Sequence, residues 1–107
     1  MQEHWFHLTT ADEVRLRCCW SPAVHDSPRG QILLLQGRAE WVEKYHHIVA
    51  GLRLRGFDVL TFDWRGQGGS QRLVRGGQGH VADFADYGRD LAAVTAEFER
   101  RRRGPLR

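Results

Sequence analysis

The chain has 107 residues, enough for one domain of small size. Hydrophobic residues make up 41% and charged residues 27%, near the average of globular proteins, which sets disordered and fibrous classes aside. The formal net charge is +3, with Lys44 the one lysine; a basic balance invites anionic partners, but the excess is small and much of it sits in the run Arg100–Arg103.

Met1–Leu8 lacks a basic segment followed by an apolar one, and no stretch approaches the length needed to cross a bilayer. The expectation is a cytoplasmic chain, with contact at a membrane surface left open. Trp5–Thr10 and Val14–Trp20 are short alternating runs. Val14, Leu16, Cys18 and Trp20 face one way, and Arg15, Arg17 and Cys19 the other, the period-two mark of a half-buried strand. Thr10-Ala11-Asp12-Glu13 supplies a polar turn, so the two runs form an antiparallel hairpin at the edge of the sheet. Adjacent cysteines on a strand point to opposite faces, so Cys18 and Cys19 read as small buried residues in a reducing compartment. Ser21–Gly30, with Pro22, Asp26, Pro28 and Gly30, reads as a surface connection.

The stretch from Gln31 to Ser70 organises the rest. It reads as a strand (Gln31–Leu35), a sharp turn (Gln36-Gly37-Arg38), a helix (Val42–Arg55), a second strand (Phe57–Asp63) and a glycine-rich loop (Trp64–Ser70). Strand, helix, strand at this spacing predicts a right-handed crossover and parallel strands. Ile32–Leu35 is apolar without alternation, as in a strand covered on both faces. Val42, Tyr45, Ile48, Val49 and Leu52 make the helix's apolar stripe. Glu40 and Glu43 at its start and Arg53 and Arg55 at its end suit the helix dipole, and Gly56 ends it. A second helix is expected from near Asp83, with Asp83 as N-cap and Asp86 in the first turn. Its stripe is Phe84, Tyr87, Leu91, Val94 and Phe98. Arg100–Arg103 fit its C-terminal end, before Gly104 and Pro105, better than a nucleic-acid patch, so no nucleic-acid partner is expected.

Open α/β sheets place ligands at the carboxyl ends of parallel strands, where Gln36-Gly37-Arg38-Ala39-Glu40 and the glycine-rich loop lie. Gly37 permits a sharp turn that leaves the next N–H groups open, and in acyl-transfer enzymes one oxyanion-hole donor comes from such a loop. The backbone N–H of Arg38 is the candidate donor; a plain strand-to-helix turn is the other reading of the same residues. Gly66-Gln67-Gly68 does not continue into a dinucleotide fingerprint, and no P-loop lysine follows. The expected role of this loop is architectural. Asp63 and Ser70 would bond local backbone, Arg65 would tie the loop to a neighbour, and Gly66 and Gly68 would shape it. Ser70 lacks the G-x-S-x-G frame of a nucleophile elbow. His4, His7, His25, His46, His47 and His80 have no partners at metal-ligand spacing; all six read as non-catalytic, with His80 ordering the loop before the second helix, and no metal is expected.

The run Ile32–Tyr45, then Gly56-Phe57-Asp58-Val59, Phe62-Asp63-Trp64-Arg65-Gly66-Gln67-Gly68-Gly69-Ser70, and Gly79-His80-Val81 with Phe84, Asp86-Tyr87 and Asp90-Leu91 resembles the α/β-hydrolase fold. The resemblance is closest to its lysophospholipase and monoacylglycerol-lipase-like branch, also described as serine-aminopeptidase-like hydrolases. It implies an α/β class: an antiparallel edge hairpin, then parallel strands with crossover helices. Residues 1–107 would then be the front part of a domain of ~200–250 residues, ending before the nucleophile elbow. It further implies a cofactor-free acyl-enzyme hydrolase of lipid-like carboxylic esters, with Arg38 and Gly37 as the oxyanion loop. The triad residues come later in the family's order, so no residue here is catalytic and the chain alone should be inactive. Gln36 stands where the family often has histidine. The alternative is a small non-catalytic binding or interaction module.

Overall fold

The computed structural model describes residues 3–24, 27–37, 41–71 and 84–101. The alternating residues of the first two runs form β1 (His4–Thr9) and β2 (Arg15–Ser21), paired antiparallel from His4 opposite Trp20 to Thr9 opposite Arg15. Their turn is held by Thr10. Its hydroxyl accepts from the Val14 amide at 2.9 Å and donates to Asp12 at 2.6 Å.

β3 (Gly30–Leu34) and β4 (Phe57–Phe62) run parallel, from Gly30 opposite Phe57 to Leu34 opposite Thr61. A 3-10 turn (Val42–Tyr45) and α1 (His46–Leu54) cross between them. Gly56 reverses the chain after α1 at φ 97°, the left-handed conformation glycine adopts at little cost. β4 also pairs antiparallel with β2, so the sheet order is β1-β2-β4-β3. α2 (Phe84–Arg100) follows, with Asp86 in its first turn.

The core is the inward face of β2 and β4 (Val14, Leu16, Cys18, Trp20, Leu60 and Phe62) with Val94 from α2. Phe6, Leu8, Leu33, Trp64 and Phe98 close its margins. Cys18 and Cys19 are both buried free thiols, and burial pushes them up to about 12 and about 11, so both stay protonated and inert. Near the end of α2, Arg100 and Arg101 both bind Glu97. The Arg101 guanidinium also lies 4.3 Å from the centre of the Phe6 ring, which ties the helix end to the hairpin. Asp83 and residues 102–105 lie outside the described residues.

Three expectations need correction. Ile32–Leu34 are only half-buried and Leu35 is 49% exposed, because β3 is an edge strand with β4 on one side. In the helix stripe, Val42 and Val49 are buried, but Ile48 is 46% exposed. Neighbours on a helix diverge by about 100°, so with Val49 against the sheet Ile48 turns toward solvent. Pro22 and Ala23 are buried rather than on a surface connection; the Ala23 amide donates to the buried Asp58 carboxylate at 2.7 Å.

Candidate functional site

The C-terminal ends of β3 and β4 carry the residues singled out in the sequence, and Asp63 stands at their centre. It directly follows β4 and has no exposed surface. One carboxylate oxygen accepts from the Val42 amide at 2.8 Å. The other accepts from the Gly69 amide at 2.9 Å and from Arg17 Nε at 2.7 Å. The Asp63 carbonyl accepts from the Ser70 hydroxyl at 2.5 Å, and that hydroxyl accepts from the Arg17 amide at 2.8 Å. Asp63 therefore caps the helical segment after β3, the glycine-rich loop and a cation on β2 at once. The helical segment has no side-chain cap of its own at Trp41. A carboxylate at such an N-terminus satisfies an orphan amide and complements the helix dipole.

Gly68 is required by this close approach. Its φ is +50°, and a Cβ there would lie 2.4 Å from the Asp63 carboxyl carbon. Gly66 is also left-handed, at φ 78°.

Arg17 makes a two-pronged pair with Glu43, at 2.6 and 2.9 Å, and lies over the Trp5 ring at 4.5 Å. Its hydrogen bonds hold the Glu43 carboxyl below the ordinary value.

Arg65, 2% exposed, is the second hub. Its backbone amide and Nε donate to the two oxygens of Asp90 on α2, at 2.9 and 2.8 Å. Its two terminal nitrogens donate to Asp12 in the hairpin turn at 2.8 and 3.0 Å. This one guanidinium joins loop, helix and hairpin. Its hydrogen bonds hold the Asp12 carboxyl well below the usual range, while burial pushes the Asp90 carboxyl up against the pull of Arg65.

The flanks of the candidate oxyanion loop are fixed from β4's side. On one flank the Gln36 carbonyl accepts from Trp64 Nε1 at 3.0 Å; on the other the Val42 amide is held by Asp63. Gly37 is exposed. Arg38 and Glu40 lie outside the described residues, as does His80. Among the described residues no three His, Cys, Asp or Glu side chains gather as a metal site, and no helix is long and apolar enough to cross a membrane.

The sequence does not single out Asp12, Arg17 or Asp90 as members of these clusters, and it reads Glu43 only as an acid at a helix start. A buried-loop arginine demands acidic partners, but nothing local says which acids the sheet register and helix packing bring to it.

Residues 26–106 match the family described as serine aminopeptidase, S33. The chain belongs to the serine aminopeptidase S33 family. Lysophospholipase L2 of Escherichia coli K12 is 46% identical over 87 residues, covering 80% of this chain and 25% of that protein. The monoacylglycerol lipase of Mycolicibacterium smegmatis is 32% identical over 77 residues, covering 70% of this chain and 25% of its own length. The structure of a soluble variant of monoglyceride lipase from Saccharomyces cerevisiae superposes with a TM-score of 0.76 at 22% identity, over 92% of this chain and 30% of that one. The fold is thus a part of the α/β-hydrolase fold, and the chain spans about a quarter of the length of the two lipase relatives it matches.

Proposed function

We propose that this chain is the N-terminal part of a serine hydrolase that cleaves carboxylic esters of lipid-like substrates, and that its contribution to the chemistry is the oxyanion loop. The backbone N–H of Arg38 is the donor, and Gly37 shapes the turn that aims it. A donor of this kind is worth about 10²–10³ in rate, provided it is held in place before the charge develops. The observation that carries the reading is the double anchorage of the loop's flanks, Gln36 to Trp64 and Val42 to Asp63. The match to lysophospholipase L2 supports the substrate class. Leu35, Trp41 and Ile48, 49%, 46% and 46% exposed, lie on or near the same loop and support contact with a lipid surface.

In this reading none of residues 1–107 is the nucleophile, so this chain should neither turn over short-chain p-nitrophenyl esters nor react with a fluorophosphonate probe. A chain extended through a downstream G-x-S-x-G should be labelled at that serine. Labelling at any residue within 1–107, or no labelling of the extended protein, contradicts the proposal.

A further inference from the structure

β1 is an outer strand of the sheet, with β2 on one side and no strand on the other among the described residues. Its two faces are already used. Phe6 and Leu8 pack against the core, and Trp5 lies under the Arg17 guanidinium at 4.5 Å on the opposite face. What is left is the rim. At every second residue an amide N–H and a carbonyl point away from β2, a template for one more strand. Native edges are commonly blunted by a charged side chain, a proline, a bulge or short length. β1 has none of these devices. Its sequence, His-Trp-Phe-His-Leu-Thr, holds no acid, lysine, arginine or proline. All six residues pair with β2 in an unbroken register, so no bulge turns the edge away.

We propose that this edge pairs with the β1 edge of a second copy of the chain, antiparallel about a two-fold axis, joining the two four-stranded sheets into one. The proposal does not depend on the hydrolase reading. The backbone groups select an extended strand as the occupant, and a two-fold arrangement makes the strand its own complement. An axis normal to the sheet keeps each face on its own side, so every residue meets a partner on the same face. Centred on Phe6, the pairing would draw two Arg101 guanidiniums together, since Arg101 lies 4.3 Å from that ring. Centred on His7, it sets Phe6 against the copy's Leu8 and Trp5 against the copy's Thr9, aromatic and β-branched or apolar cross-strand pairs. His7, which is exposed, then meets its own copy at the axis.

The test is sedimentation equilibrium of the 107-residue chain from about 1 µM to 1 mM, beside His7→Lys, His7→Glu and an equimolar mixture of the two variants. The parent should pass from monomer to dimer across this range. Either variant alone sets like charges directly opposite each other, and should associate about fivefold more weakly than the parent or less. In the mixture opposite charges meet, and association should recover by about fivefold over either variant alone. That recovery also shows that both variants are folded. A parent that stays monomeric overturns the proposal. So does growth past the dimer, because a two-fold pairing closes. Equal association of parent and variants overturns it too, because that places the contact elsewhere, for instance on β3, three strands away. A mixture no tighter than its components does the same.

Discussion

The two ends of the parallel pair's rim differ in how completely their polar groups are satisfied. Around Asp63 and Arg65, the loop, the hairpin and both helical segments are bound to two buried side chains, with each carboxylate oxygen and guanidinium nitrogen of the pair in use. Along β3 and the turn after it, Leu35, Trp41 and Ile48 stand half in solvent and the Gln36 amide is unmatched among the described residues. The first region is a finished scaffold. The second is left open, as the proposed site requires.

Breaking the scaffold should be costly. Asp63→Ala leaves the Val42 and Gly69 amides and Arg17 Nε without their acceptor, and should cost about 3–5 kcal/mol in urea unfolding. Arg65→Met should cost about 3 kcal/mol at neutral pH, because Asp90 is left buried and charged. Its pH dependence is diagnostic. Burial already holds the Asp90 carboxyl above its ordinary value, and losing Arg65 raises it further. A group whose folded value exceeds its unfolded one loses stability as pH rises past the unfolded value, about 4. The deficit of Arg65→Met should therefore shrink in acid. Asp12 works with the opposite sign. Its carboxyl is held low, so the stability it contributes is full above about pH 4 and fades progressively as pH falls below that value, and Asp12→Asn should cost most at pH 7 and progressively less in acid.

Gly68→Ala combines a left-handed backbone with a clash against Asp63, and should cost about 2 kcal/mol by the same unfolding measurement. On the unfinished side the effects should be small. Ile48→Gln should change stability by no more than about 0.5 kcal/mol, and a larger loss would mean that this face is part of the core.

The same contrast explains what could be read from the sequence. The hairpin, the crossover and the core face of β2 follow from local periodicity, and Asp63 meets Ser70 and Gly69 within one short loop. Arg65 was legible as a tie but not its partners: Asp12 is 53 residues away and Asp90 is 25, and only the folded sheet and α2 bring them together. The apolar run Ile32–Leu35 speaks of what a strand is suited to touch. It does not say which side of the sheet this chain itself covers, and β3 remains an edge. Gln36 looked like a departure at a turn, and its meaning depends on burial that no spacing reveals.

Amide hydrogen exchange across the loop after β3 tests the account most directly. The Val42 and Gly69 amides, both bound to the Asp63 carboxylate, should be protected to the level of the β4 amides, while the Arg38 amide, the proposed oxyanion donor, should exchange near the rate of a free peptide. Equal protection at Arg38 and Val42 would mean that the proposed donor is already spent inside the fold.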